Sequence, residues 1–135
     1  MTRFIIVIVL ALLLVGVALL EQDTVKKHYG RLESDILTLI ARIEPIPDKD
    51  EGGDIATEEN IAMVENMFDY WIKSEHTLSM FARHFDLAQV STNLIYAKNF
   101  IEANNKEEAL IGLRQVEYLI NTHTYNIGTS IQNVI

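Results

Sequence analysis

VKKHYGRLESDILTLIARI, residues 25–43, decides the fold. Its apolar side chains fall at Val25, Tyr29, Leu32, Ile36, Leu39 and Ile43, steps of four and three residues that place them all on one helical stripe. A strand would instead repeat every second residue. Leu37 and Ile40 are expected to widen the face beyond a two-position coiled-coil seam. A face that wide predicts burial against several neighbouring helices, as in a bundle.

Working back towards the N-terminus, residues 4–20 read FIIVIVLALLLVGVALL, with no polar side chain. At 1.5 Å per residue such a segment is about 25 Å long, close to the roughly 30 Å hydrocarbon core of a bilayer. In lipid every backbone group must be satisfied within the segment, so the β-branched run Ile5 to Val9 is forced into a helix. Residues 1–20 are therefore read as a transmembrane anchor. A signal peptide cleaved after Ala18 is the alternative, since Gly16-Val17-Ala18 supplies small residues at a suitable spacing, although the apolar run exceeds the usual 7 to 15 residues. Nothing between Glu21 and Lys27 breaks a helix, so the anchor is free to continue into the stripe as a rigid stalk. Charge counts conflict over orientation: Arg3 precedes the span, and Lys26, Lys27 and Arg31 follow it. The very short N-terminal tail favours a cytoplasmic N-terminus in the cell membrane, with residues 21–135 extracytoplasmic.

All 19 acidic side chains of the 135-residue chain lie beyond the apolar run. Residues 21–135 carry 10 basic side chains against those 19, a net charge of −9. That balance argues against a nucleic-acid binder, which needs a basic face to neutralise phosphates. The absence of cysteine excludes disulfides, thiolate zinc sites and a cysteine nucleophile.

Working forward, Glu44-Pro45-Ile46-Pro47 must end the first helix, because proline lacks a backbone donor and biases its predecessor away from the α region. Residues 44–57 are read as a loop. Asp48, Asp50, Glu51 and Asp54 around Gly52-Gly53 raise a calcium reading. They match only the opening of an EF-hand template, and a solvated acidic loop is preferred. Thr57 is expected to cap a second helix, with Glu58 and Glu59 near the positive end of its dipole.

The second helix is expected to bury Ile61, Val64, Met67, Phe68, Trp71, Leu78, Phe81 and Phe85, an aromatic-rich stripe better suited to core than to a ligand cage. Trp71, Phe68 and Phe85 are its candidate core or interaction residues. On the opposite side, His76, Met80 and His84 are spaced by four and would stack as a His-x3-Met-x3-His row. Such a row suits copper or another soft metal, and makes these three the weak metal candidates. Asp86 is expected to cap a third helix with Leu87, Val90, Leu94, Ala97 and Ile101 inward. After Asn104-Asn105, a fourth helix carries Ala109, Leu110, Leu113, Val116, Leu119 and Ile120 and is expected to end at Asn126-Ile127-Gly128. The short connection makes helices three and four an antiparallel hairpin. The ending IQNVI is apolar enough to pack on the bundle. His28 and His123 flank helical stripes and suit either a boundary position or a pH-sensitive contact.

Phosphate loop, nucleophile elbow, dinucleotide fingerprint and zinc-protease spacing are all missing. The reading is of a non-enzyme with no cofactor. Several spellings fit together: Glu21-Gln22 after the anchor, Trp71-x3-Glu75, His84-Phe85-Asp86, the NKEEAL hairpin at residues 105–110 and an Asn-Val-Ile ending. With this layout the chain resembles the bacterial family known as domain of unknown function 4363. The resemblance implies a membrane-anchored helical protein and brings no catalytic residue. The expected architecture is all-α: a single N-terminal transmembrane helix (residues 1–20) and an antiparallel bundle of about four helices (residues 21–135). Its expected role is an accessory or scaffold protein with a membrane and an unidentified protein as partners. The alternative is a ligand- or metal-sensing bundle.

Overall fold

One uninterrupted helix, α1, runs from Thr2 to Ile43 in the computed structural model, its first part exposed and its second part buried on one face. At 1.5 Å per residue its 42 residues reach about 63 Å. The structure describes residues 1–134, with side chains described as far as Tyr125. From Phe4 to Leu20 no side chain of α1 is buried, and the helix is long and apolar enough to cross a membrane. From Val25 the same helix changes role. Val25, Tyr29, Leu32, Ile36, Leu39 and Ile43 are each at most 2% exposed, so the whole 4-3-4-3-4 stripe is core. Ile40 joins them, whereas Leu37 stays exposed and does not widen the buried face.

Three further helices complete the bundle: α2 (Glu58–Leu78), α3 (His84–Glu102) and α4 (Lys106–Val134). Each of α1 and α3 packs against both α2 and α4, which gives an up-down-up-down ring of antiparallel neighbours. The first helix of this bundle is thus the continuation of the apolar segment. The core takes Val64, Met67, Trp71 and Leu78 from α2, and Leu87, Val90, Leu94, Ala97 and Ile101 from α3. Ala109, Leu113, Val116, Leu119 and Ile120 come from α4. Gly112 lets α3 and α4 approach closely, since a Cβ there would lie 2.9 Å from the Tyr96 ring and 3.2 Å from the Ala97 Cα.

The α1–α2 connection folds over the end of the bundle. A short 3₁₀ turn at Lys49–Glu51 is followed by Gly52 at φ 87° and by Gly53, where a Cβ would sit 1.6 Å from the Pro47 carbonyl oxygen. Ile55 then enters the core, fully buried. Thr57 caps α2 by accepting a hydrogen bond from the Asn60 amide at 3.2 Å. Across the loop, the Asn104 side chain accepts from the Ile55 amide at 2.8 Å and donates to the Gly53 carbonyl at 3.2 Å. Lys106 Nζ donates to the Ile46 carbonyl at 2.6 Å.

Several expectations need correction. Phe85 is not core: it is 68% exposed, in the first turn of α3. The chain leaves α2 after Leu78, whose carbonyl accepts from Phe81 and Ala82, and this turn resets the helical phase that the stripe had carried straight through. Phe68 is half-buried against the core. Asp86 does not cap α3; Arg83 holds that position, and Asp86 lies inside the first turn near the positive end of the dipole. Helix α4 runs through Gly128 to Val134, because a glycine ends a helix only where the chain turns. The expected packing of the IQNVI ending falls outside the residues whose side chains are described.

Candidate functional site

The four helices meet in one polar and aromatic junction, to which each contributes. Tyr29 comes from α1, Trp71 and Glu75 from α2, Asp86 and Ser91 from α3, and His123 from α4. The antiparallel topology brings these residues to the half of the bundle nearest the apolar segment. Tyr29 lies between two rings, its centroid 5.6 Å from Trp71 and 6.1 Å from His123, the latter edge-on.

Trp71 is fully buried, and its indole Nε1 donates to Ser91 Oγ at 2.8 Å. Ser91 Oγ lies 3.2 Å from the Leu87 carbonyl and 3.4 Å from Glu75 Oε2, so its proton has an acceptor on either helix. His123 is buried, with Nε2 4.0 Å from Asp86 Oδ1. Burial pushes its imidazole below the ordinary value; the Asp86 carboxylate opposes that shift and Arg83 adds to it. The imidazole is therefore mainly neutral at pH 7, and its contact with Asp86 is not an ion pair. Asp86 is instead paired with Arg83, whose Nε lies 3.0 Å from Oδ2. Burial, with the Asp86 charge second, raises the Tyr29 phenol. Among the described residues, the Tyr29 hydroxyl and His123 Nδ1 are buried polar atoms without a hydrogen-bond partner in the protein.

A second cluster borders the junction. The Tyr70 hydroxyl and His28 Nδ1 share a hydrogen bond of 2.9 Å, and the Arg31 guanidinium carbon sits 3.9 Å from the Tyr70 ring centroid. Burial, and then the Lys27 charge, lowers the His28 imidazole. His28 and His123 are thus distinct: one bonded at the α1–α2 seam, the other inside the bundle.

The proposed metal row is not assembled as read. His76 is in the last turn of α2, Met80 in the turn that follows and His84 at the start of α3, and all three are exposed. With α2 ending at Leu78 the spacing of four no longer describes one helix face. Among the described residues, no group of three His, Cys, Asp or Glu side chains is placed to hold a metal ion, the acidic loop included. Trp71 is brought into the junction, Phe68 is half-buried against the core and Phe85 is exposed. From the sequence Tyr29 is expected only as a stripe residue and Asp86 only as a helix cap, and Ser91 carries no expectation. Ser91 lies four residues after Leu87, and a serine beside such a stripe calls for a partner.

At the other end of the bundle, Asp48, Lys49, Asp50, Asn104, Asn105, Lys106 and Glu107 line an open groove of about 520 Å³. Its charges are mixed. Lys106 is already held there, by the Ile46 carbonyl and at 4.0 Å from Asp48.

Comparison with curated proteins and with solved structures gives no match. The model of the family described as domain of unknown function DUF4363 matches residues 29–134, from the junction tyrosine almost to the last residue, and the chain belongs to that family.

Proposed function

We propose that this chain is a single-pass, membrane-anchored, non-enzymatic protein of the cell envelope, which holds an acidic helical bundle close to the bilayer and presents it to a protein partner on the same membrane. The observation that carries this reading is the continuity of α1. Its exposed apolar half passes into the bundle core within one helix, without a flexible linker. A bundle carried in this way has restricted height and tilt, which raises its effective concentration for a partner in the same membrane. The junction residues support a structural role, since ring contacts among Tyr29, Trp71 and His123 join three helices and Ser91 ties in the fourth through the Trp71 indole.

The test uses the absence of natural cysteine. Asp50→Cys places a single thiol on the loop farthest from the apolar segment. In intact cells, an impermeant maleimide is expected to label it, with the protein resisting alkaline extraction from membranes. Crosslinking in those cells is then expected to give one defined adduct that is lost when residues 1–20 are removed. Release by alkali, or labelling only after permeabilisation, overturns the anchor or the orientation respectively. Absence of an anchor-dependent adduct overturns the partner role.

A further inference from the structure

We infer that the α2–α3 turn is a second membrane contact: Met80 and Phe85 insert into the headgroup region of the bilayer that α1 crosses. This rests on the reading of residues 4–20 as a membrane span. The register of α1 against α2 supplies the argument. Tyr29 packs on Trp71, and thirteen residues further along α1 Arg42 bonds Asn60, eleven residues back along α2, so the two helices run antiparallel with Tyr29 and Trp71 level. Seven residues further along α2, its end at Leu78 is level with Gln22 of α1. The turn beyond it reaches the level of Leu20, where the apolar run stops.

The exposure of the turn fits that position. Met80 is 76% exposed and Phe85 68%, two large apolar side chains close together in sequence at one end of the bundle. The helical phase that would have buried Phe85 is given up at this turn. Water gives no return for either side chain, whereas the headgroup and acyl boundary does. Beside them His84 is exposed, and the Arg83 side chain, 80% exposed even while Nε and Nη2 bond Asp86, keeps Nη1 outside that pair for a lipid phosphate. The occupant is therefore a lipid surface, the one that α1 already fixes within reach. Two contacts, the span and the turn, would set the rotation of the bundle about α1 as well as its height.

Single-cysteine variants of the full chain, labelled with an environment-sensitive fluorophore in phosphatidylcholine–phosphatidylglycerol vesicles, test this by quenching with lipids spin-labelled at shallow and deep positions. Leu12→Cys reports the span, Met80→Cys and Phe85→Cys the turn, and Asp50→Cys the distant loop. Deep quenching is expected at position 12. Shallow quenching at positions 80 and 85 is expected to exceed that at 50 by at least about twofold. Deep quenching at 12 with 80 and 85 no more quenched than 50 overturns the second contact and leaves the span intact. Loss of deep quenching at 12 overturns the span itself, and the turn contact with it. Because a label adds its own apolarity, Met80→Ser/Phe85→Ser in the Lys73→Cys background supplies an unlabelled test of the turn. Its shallow quenching is expected to differ from that of Lys73→Cys alone as the bundle loses its fixed tilt, and an unchanged profile also overturns the contact.

Discussion

The indole nitrogen of Trp71 and the hydroxyl of Ser91, on adjacent helices α2 and α3, are 2.8 Å apart, so the largest buried side chain of the bundle is also satisfied at its polar end. Trp71→Ala removes both the volume and the bond. It is expected to destabilise the full-length protein by about 3–5 kcal/mol. Ser91→Ala keeps the packing but leaves the indole donor buried without a partner, an expected cost of about 1–3 kcal/mol. Urea titration in mild detergent, followed by circular dichroism because Trp71 is the sole tryptophan, measures both. A Trp71→Ala midpoint equal to wild type would remove Trp71 from the core.

Tyr29 presents the opposite case. Its ring is held between Trp71 and His123, but its hydroxyl is buried without a partner in the protein. Tyr29→Phe keeps the ring and deletes the unsatisfied group. The variant is expected to be as stable as wild type or more stable by up to about 1 kcal/mol, whereas Tyr29→Ala should cost several kcal/mol. A loss above 1 kcal/mol in the Phe variant would mean that the hydroxyl has a partner, and that the junction is more polar than its protein groups indicate.

The helix faces were legible wherever apolar spacing ran unbroken. Every position of the Val25–Ile43 stripe is buried, as are all the inward residues predicted for α3. The turn at residues 79–83 was not legible. Its sequence, SMFAR, contains neither glycine nor proline, so the periodicity of α2 was carried across it to Phe85 and to a metal row that the fold does not make. The same missing punctuation placed the start of α3 too late. At the other end of the bundle, Gly128 misled in the reverse sense, as a stop signal that the helix passes. The junction was half legible. Trp71 declared itself by size, but the pairing with Ser91 and the approach of His123 to Asp86 depend on the antiparallel register, which no local pattern encodes.

That register also gives His123 a consequence with pH. The burial-lowered imidazole binds its proton less tightly in the folded protein than in the unfolded chain, where the ordinary value is 6.5. Stability from this group is complete above 6.5 and is lost as pH falls from there through the folded value. His28 acts with the same sign, its imidazole lowered by burial and by Lys27. Urea midpoints of wild type, His123→Gln and His28→Gln are to be compared between about pH 7.5 and 5, the range over which an unperturbed imidazole titrates. Wild type is expected to lose stability most steeply, each single variant less so and the double variant least. Parallel slopes for wild type and His123→Gln would show that His123 keeps an ordinary proton affinity.

Asn104 is the test of how the loop at the far end is held. It has a positive φ of 53°, a conformation Asn tolerates better than most residues, and its side chain bonds both Ile55 and Gly53 across the α1–α2 connection. Asn104→Gly removes the two bonds but suits the backbone. Asn104→Ala removes the same bonds and adds the left-handed penalty of about 1–2 kcal/mol. The alanine variant is therefore expected to be less stable than the glycine variant by about 1 kcal/mol, with both below wild type. Hydrogen exchange at the Ile55 amide, which loses its acceptor in either variant, should accelerate equally in the two. Equal stability of the two variants would show that the backbone at 104 relaxes out of the left-handed region. An unaltered Ile55 exchange rate would show that the loop is held by Gly53 and Lys106 rather than by the asparagine.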